Sequence, residues 1–139
     1  MTLKIFTDGG ARGNPGPAAS GVFIVSEDTQ FTHGFGKTLG TTTNNVAEYT
    51  AVILAYDWLI ENKTQFKDLS KIKFFMDSNL IYSQLTGKFK VLNPGMKRLY
   101  SLVKEREKVL NLPVSYSYIP RIMNKEADGY VNLALDNLL

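Results

Sequence analysis

The sequence contains no cysteine and a single histidine, His33, among its 139 residues. The lack of cysteine excludes disulfides, thiolate nucleophiles and cysteine-ligated zinc, and one histidine excludes a multi-histidine metal centre. No apolar run reaches the roughly 20 residues that a transmembrane helix needs, and no signal-peptide hydrophobic segment follows the N-terminus. We therefore expect a soluble, cytoplasmic protein with no membrane partner, and we expect His33 to be a surface residue.

The length and the charge suggest one domain and leave the partner open. At 139 residues and 15.6 kDa, residues 1–139 are predicted to form a single domain. The net charge is +3, but residues 51–100 carry eight Lys/Arg against four Asp/Glu, whereas residues 1–50 carry three against four. A basic middle beside acidic segments fits a nucleic-acid partner, although charge alone fits an ordinary solvated surface equally well.

Hydrophobic periodicity predicts the element order βββαβααβα, which is typical of a mixed sheet with helices on its faces. The predicted strands are residues 3–8, 20–26, 30–39, 72–77 and 114–119, and the predicted helices are residues 45–62, 78 onward, 96–110 and 124 onward. Asn124 is expected to cap the last helix. In the first helix Glu48 lies in line with the core-facing spacing of Val52, Ala55 and Leu59, an unusual position for a free carboxylate.

Four acidic residues lie at the ends or beginnings of separate elements. Asp8 and Asp77 end apolar strands, Glu48 lies near the start of the long helix, and Asp128 lies near the start of the last helix. Burying a carboxylate costs several kcal/mol unless a cation or hydrogen bonds compensate it, so a cluster of these groups indicates a hard divalent metal site. Each residue alone also has a structural explanation, as a helix cap, a solvated side chain or a partner of a helix dipole.

A glycine-rich segment follows the first predicted strand, with glycines at positions 9, 10, 13 and 16. This spacing does not give the G-x-G-x-x-G pattern of dinucleotide sites, and the Gly-Lys-Ser/Thr of a Walker loop is missing. Two interpretations stay open. The segment is either a tight turn that needs the conformational freedom of glycine or an open backbone surface that contacts a sugar-phosphate chain.

Four blocks of the sequence resemble ribonuclease H type 1, in the family's order and spacing. They are residues 8–18 (DGGARGNPGPA), 43–48 (TNNVAE), 77–80 (DSNL), and 119–121 (IPR) with 124–128 (NKEAD). The resemblance implies an α/β protein of the ribonuclease H-like fold, whose five-stranded mixed sheet has three antiparallel strands, then parallel strands, and is flanked by helices. It also implies an endonuclease that hydrolyses the RNA strand of RNA–DNA hybrids largely without sequence preference, leaving 5′-phosphate and 3′-hydroxyl ends.

The same resemblance assigns roles to individual residues. Asp8, Glu48, Asp77 and Asp128 match the family's metal-binding carboxylates, and Mg²⁺, or Mn²⁺ in its place, is the implied cofactor, with two ions when substrate is bound. The residues that match substrate contacts are Gly9, Gly10, Arg12, Asn14, Thr43, Asn44, Asn45, Ser78 and Asn79. Selectivity for the RNA strand then depends on the 2′-hydroxyl, and double-stranded RNA stays open as a further substrate of this monomer. We expect Thr43 or Asn44 to cap the long helix as well as to contact substrate.

Two features depart from the commonest pattern of the family. The loop before the last carboxylate reads Pro-Arg-Ile-Met-Asn over residues 120–124, without the histidine that many members carry, as in the branch that has an arginine nearby. We expect Arg121 to stabilise charge near the leaving group, because a guanidinium suits phosphate but does not shuttle protons near neutral pH. The basic protrusion of some members is also missing, and its nearest substitutes are Lys88, Lys90, Lys97 and Arg98. We therefore expect weak, salt-dependent hybrid binding.

Two other functions are compatible with a protein of this fold. A catalytically weak hybrid-binding domain of the same fold would have no reason to keep all four carboxylates. Another nuclease of the same superfamily, acting on DNA, would not need the glycine-rich segment and the Asn14, Asn44 and Asn79 set, which resemble an RNA-strand groove.

Overall fold

The computed structural model describes residues 1–137. Within these residues the strands are β1 (Thr2–Ala11), β2 (Gly16–Ser26), β3 (Thr32–Thr42), β4 (Lys71–Met76) and β5 (Val114–Tyr118). The α-helices are α1 (Asn44–Asn62), α2 (Asn79–Leu85), α3 (Pro94–Leu110) and α4 (Lys125–Leu135), and short 3₁₀ turns occupy Lys63–Gln65 and Arg121–Met123. The predicted element order is confirmed. No helix of the described segment is both long enough and apolar enough to cross a membrane.

The strands form one five-stranded sheet in the order β3-β2-β1-β4-β5. Strand β1 pairs antiparallel with β2, and β2 pairs antiparallel with β3, whereas β1 and β4, and then β4 and β5, run parallel. The predicted mixed sheet is therefore confirmed. Thr7 lies opposite Met76 in the parallel β1–β4 pair. The next residues along the two strands, Asp8 and Asp77, consequently lie side by side, where the carboxyl end of β4 meets β1.

The first two strands are longer than predicted, and the connection between them is shorter, because it covers only residues 12–15. Gly10 pairs with Ala19 and Ala11 pairs with Ala18, so the ladder continues past Asp8 instead of ending there. The sequence predicted a turn because glycine weakens an isolated strand. The strand persists because its backbone pairs with β2 as far as Ala11. Glycine is needed at position 9 because α1 packs closely on the strand: a Cβ there would lie 2.2 Å from the backbone carbon of Ala47.

Two helices lie on opposite faces of the sheet. Gly9 faces Ala47 of α1 and the next residue, Gly10, faces Val131 of α4, as expected for neighbouring residues of a strand. The predicted core stripe of α1 is confirmed, since Val52, Ala55 and Leu59 are fully buried. The core continues into α3 and β4, whereas α4 packs a small cluster of its own against β2. His33 is exposed on β3, as predicted, and its ring stacks on Trp58 with centroids 5.4 Å apart.

Candidate active site

Strand β1, the carboxyl end of β4 and helix α1 bring three carboxylates together. Side-chain oxygens of Asp8, Glu48 and Asp77 lie within 4.8 Å of one another. Asp8 lies within β1, Asp77 follows β4 directly, and Glu48 comes from the first turns of α1. Glycine at position 9 makes this possible, because a Cβ there would lie 2.3 Å from the backbone nitrogen of Glu48. Residues separated by 40 and 29 positions in the chain therefore meet in one place.

Burial and mutual repulsion make these acids weak. Asp8 is only 5% exposed. Its burial, together with the charges of Asp77 and Asp128, raises the pKa of Asp8 to about 7. Burial and the charge of Asp8 raise the pKa of Glu48 well above its ordinary value. Burial also raises the pKa of Asp77, although the Arg121 guanidinium and the Asn124 amide oppose the shift. The cluster resists full ionisation in the absence of a cation.

Asp128 lies beside this group of three rather than within it. It belongs to the first turn of α4 and lines the same cleft, which has a volume of about 450 Å³. Gly21 of β2 lets α4 approach the sheet, since a Cβ there would lie 2.2 Å from the carbonyl oxygen of Ala127. The side-chain nitrogen of Asn132 donates to the backbone oxygen of Asp128 at 3.2 Å and to its Oδ2 at 3.4 Å. Asn132, one helical turn further along α4, thus helps to orient the Asp128 side chain at the wall of the cleft.

Asn124 occupies the N-cap position of α4, as predicted, but its side chain makes no capping hydrogen bond to this helix. The residue is fully buried, and its Nδ2 donates to the carbonyl oxygen of Thr7 at 2.9 Å. This hydrogen bond ties the start of α4 to β1 at the residue before Asp8, and the Asn124 amide also lowers the pKa of Asp77. The sequence identified the position of Asn124 but not the hydrogen-bond partner of its side chain.

Two hydroxyl side chains cap helices. The Thr43 Oγ1 accepts from the backbone nitrogen of Val46 at 3.3 Å and caps α1, and the Ser78 Oγ accepts from the backbone nitrogen of Ile81 and caps α2. Of the two residues considered for α1, Thr43 is therefore the cap. Asn44 instead accepts a hydrogen bond from the backbone nitrogen of Ala11 at 2.8 Å, and its own backbone nitrogen donates to Asn14 Oδ1 at 3.0 Å.

Most of the predicted site residues share one cleft. Those that line it are Asp8, Gly9, Gly10, Arg12, Asn44, Asn45, Glu48, Asp77, Ser78, Arg121 and Asp128. Three predicted substrate contacts do not line it: Asn14, Thr43 and Asn79. Asn14 and Thr43 hydrogen-bond within the protein as described, and the Asn79 Oδ1 accepts from the Ser83 hydroxyl at 3.3 Å.

Helix α4 contributes residues to the cleft that the sequence did not single out. They are Val131, Asn132 and Leu135, and Ala11 of β1 joins them. Asn132 follows Asp128 by four residues, and this spacing places the two side chains on one helical face. The same spacing relates Val131 to Leu135. The helical period of α4, started from Asp128, was thus the available signal.

Arg121 occupies the 3₁₀ turn between β5 and α4. It is exposed, lines the cleft, and lowers the pKa of Asp77 through its positive charge. The structure therefore places the positive charge of Arg121 in the same cleft as the carboxylates.

Comparisons with known proteins agree with this geometry. The profile of the reverse transcriptase-like family matches residues 6–134. Ribonuclease HI of Halobacterium salinarum is 38% identical over 136 residues, which are 97% of this chain and 65% of that protein. The chain thus spans slightly less than two thirds of the length of this curated relative.

Solved structures resemble the whole chain. The crystal structure of the ribonuclease H1 of Halobacterium salinarum has a TM-score of 0.88 and 34% identity, covering 99% of each chain. LC11-RNase H1, isolated from compost by a metagenomic approach, was crystallised in complex with an RNA/DNA hybrid; it has a TM-score of 0.89 and 38% identity, covering 97% of each chain. This chain therefore belongs to the reverse transcriptase-like family and, within it, to the type 1 ribonucleases H.

Proposed function

We propose that this protein is a divalent-metal-dependent endoribonuclease that cuts the RNA strand of RNA–DNA hybrids. The observation that carries the proposal is the meeting of Asp8, Glu48 and Asp77 within 4.8 Å, with Asp128 on the wall of the same cleft. A related ribonuclease HI and a similar structure bound to an RNA/DNA hybrid support the choice of substrate. We propose that residues 1–139 act as one catalytic domain and as a monomer, since Asp8, Glu48, Asp77 and Asp128 all come from a single chain. We propose a cytoplasmic location because RNA–DNA hybrids, the proposed substrate, form inside cells.

The donor set fits Mg²⁺ or Mn²⁺. Hard divalent cations prefer carboxylate oxygens, and Mg²⁺ retains waters that a substrate phosphate can replace. Among residues 1–137, no lysine or arginine forms an ion pair with Asp8, Glu48 or Asp77. The positive charge of Arg121 acts on Asp77 but leaves the pKa of that carboxyl raised, so the protein compensates the cluster only in part. These three residues, with Asp128, would hold two ions when substrate is bound. The ions would supply Lewis-acid activation of the attacking water and stabilisation of the leaving oxygen.

The chain's own residues prepare the site for this chemistry. The β1 and β4 backbones and the Gly9 contact with α1 fix the carboxylates in advance, so little rearrangement is needed on binding. Arg121 places a permanent positive charge next to Asp77, where the leaving group gains negative charge. The pKa of Asp8, about 7, means that this acid must give up its proton before it can bind a cation near neutral pH.

Recognition of the hybrid would come from the cleft rim. Backbone of Gly9 and Gly10 and side chains of Arg12, Asn45 and Ser78 are available there. Because such groups reach sugars and phosphates rather than base edges, cleavage is expected to be largely independent of sequence. Asn14 and Thr43 would contribute by shaping this rim, since their side-chain oxygens accept hydrogen bonds within the protein. We propose the same supporting role for Asn79.

The substrate class is tested with end-labelled duplexes. An RNA–DNA hybrid, an RNA duplex and a DNA duplex are incubated with the protein, with and without Mg²⁺, and resolved on a denaturing gel. We expect internal cuts in the RNA strand of the hybrid, with 5′-phosphate ends, only when Mg²⁺ is present. Asp77→Asn serves as the control, because it keeps the side-chain shape while removing a ligand charge. Cutting of the DNA duplex, or equal cutting by the variant, would contradict the proposal.

A further inference from the structure

An ion pair joins the cleft rim to the end of α4. Arg12 lies in the segment between β1 and β2 and lines the cleft, and its Nη1 donates to the Asp136 Oδ1 at 2.6 Å. The two side chains are 50% and 46% exposed. The contact uses a single donor of the guanidinium, which has five N–H groups in all. The rest of the guanidinium stays available for a second anion.

Asp136 is placed against the electrostatic preference of its own helix. It is the C-terminal cap of α4, whose last turn contains no basic residue. The carboxyl end of a helix carries partial negative charge and favours cations, so an aspartate there does not stabilise the helix. Arg12 is the cation that compensates this aspartate. The residue is therefore better explained by its partner than by α4.

The ion pair is not needed to shape the backbone of the rim. The Arg12 backbone nitrogen donates to the carbonyl oxygen of Pro17 at 2.8 Å, and Ala11 and Asn14 are tied to Asn44 as described above. Exposed ion pairs also contribute little to folding stability. What Asp136 adds to this rim is the direction of the Arg12 side chain.

We propose that Asp136 is a positioning residue, which holds the Arg12 guanidinium at the cleft rim so that its free edge binds a backbone phosphate of the hybrid. This inference rests on the proposed function. Helix α4 then serves recognition at both ends, because Asp128 in its first turn faces the metal site and Asp136 at its C-terminal end orients a phosphate contact. Pre-ordering a long side chain lowers the entropy that binding must otherwise overcome.

The test compares kcat and KM for hybrid cleavage in Arg12→Ala, Asp136→Ala and the double variant. We expect Asp136→Ala to raise KM roughly 3- to 10-fold with little change in kcat, as for the weakening of one phosphate contact. The double variant should be no worse than Arg12→Ala, because Asp136 acts only through Arg12. Arg12→Ala should also reduce the slope of log affinity against log salt by about 1.

Two controls separate positioning from a structural tether. Glu27→Ala removes another surface ion pair, 2.8 Å long, with Lys73, and should leave KM unchanged. The charge-swapped variant Arg12→Asp/Asp136→Arg keeps an ion pair but removes the cation from the rim, so its KM should stay high.

Three results would overturn the inference while the wild-type protein still cleaves the hybrid. They are an unchanged or lower KM in Asp136→Ala, additive effects in the double variant, and a normal KM in the charge-swapped variant. A wild-type protein that leaves the hybrid intact would overturn the proposed function, and this inference with it.

Discussion

Ionisation of Asp8 is unfavourable in the folded protein when no cation is bound. It is nearly buried, it lies beside two other acids, and its pKa is raised to about 7. An ordinary aspartate has a pKa near 3.9, so ionising Asp8 at neutral pH costs folding free energy when no cation is bound. The feature that equips the residue to bind a cation is thus a source of instability in the free protein.

The first prediction concerns the stability of the metal-free protein. Because the folded state binds the Asp8 proton more tightly than the unfolded chain does, this contribution to stability is fully present below about pH 4 and is lost as the pH rises through 7. In EDTA we expect the melting temperature to fall between pH 5 and pH 8, and to fall less in Asp8→Asn. Circular dichroism measures both. Identical pH profiles of the two proteins would show that Asp8 is not the group responsible.

The second prediction concerns Arg121. Removing a cation that stabilises developing charge typically costs a factor of about 10² in turnover for a well-aligned donor, and Arg121 is exposed, so we expect Arg121→Ala to lower kcat by roughly tenfold. Lys125→Ala is the matched control, since it removes an exposed positive charge from the adjacent start of α4 that does not line the cleft. Single-turnover cleavage of the hybrid measures the effect. Wild-type rates in Arg121→Ala would end this assignment.

At the scale of elements, the site depends on how closely two helices approach the sheet. Glycines at positions 9 and 21 allow α1 and α4 to bring Glu48 and Asp128 to the cleft that Asp8 and Asp77 also line. A Cβ at either position would lie 2.2 Å from helix backbone, which a side-chain rearrangement cannot relieve. Gly9, which belongs to the motif of residues 8–18, and Gly21, which lies outside it, are therefore both needed for packing.

The third prediction compares two glycines. Gly9→Ala should push α1 and Glu48 away from Asp8, destabilise the fold by about 1–3 kcal/mol as overpacking does, and sharply reduce cleavage. Gly129→Ala, on α4, meets no atom within 4 Å and should stabilise the protein by about 0.5–1 kcal/mol. Urea unfolding gives both values. A Gly9→Ala protein with normal stability and normal cleavage would contradict this account of the packing.

The sequence predicts the order of the elements better than their ends. Strand ends at Asp8 and at Ser20 were placed by glycine and proline content, but pairing between β1 and β2 continues to Ala11 and Ala18. The ladder is a long-range interaction, which local composition does not encode. In the same way, the sequence places Asn124 at the start of the last helix, but it does not reveal the side-chain hydrogen bond to Thr7. That bond joins residues 117 positions apart and depends on the assembled fold.

The site itself was more predictable than its supports. Asp8, Glu48 and Asp77 were identified because buried acids at element ends need compensation, and the structure brings them together. Partners such as Asn132 and Asp136 were missed because each is an ordinary polar residue on a helix surface. Their roles follow from what lies opposite them, and a single sequence does not contain that information.

At the scale of the whole molecule, positive charge is sparse near the cleft. Four exposed basic residues lie in the connection before α3 and in its first turns: Lys88, Lys90, Lys97 and Arg98. Lys88 also lies over the ring of Tyr82, 4.8 Å from its centroid. With no basic protrusion, few cations are available for phosphates beyond Arg12 and Arg121.

The fourth prediction follows from this charge distribution. Hybrid binding in EDTA should be weak, and its logarithm should fall linearly with log salt, by about 0.9 for each phosphate neutralised. Fluorescence anisotropy of a labelled hybrid between 50 and 200 mM salt measures the slope. Sub-nanomolar affinity that does not change with salt would contradict it.

If Asp8, Glu48, Asp77 and Asp128 form a divalent metal site, the protein should bind Mn²⁺ at pH 8 in the absence of substrate. Electron paramagnetic resonance follows the free ion as protein is added. We expect saturable Mn²⁺ binding that Mg²⁺ displaces and that both Asp8→Asn and Glu48→Gln weaken strongly, because hard divalent cations bind through carboxylate oxygens. Wild-type protein that binds no Mn²⁺, or variants that bind it as well as the wild type, would contradict the account.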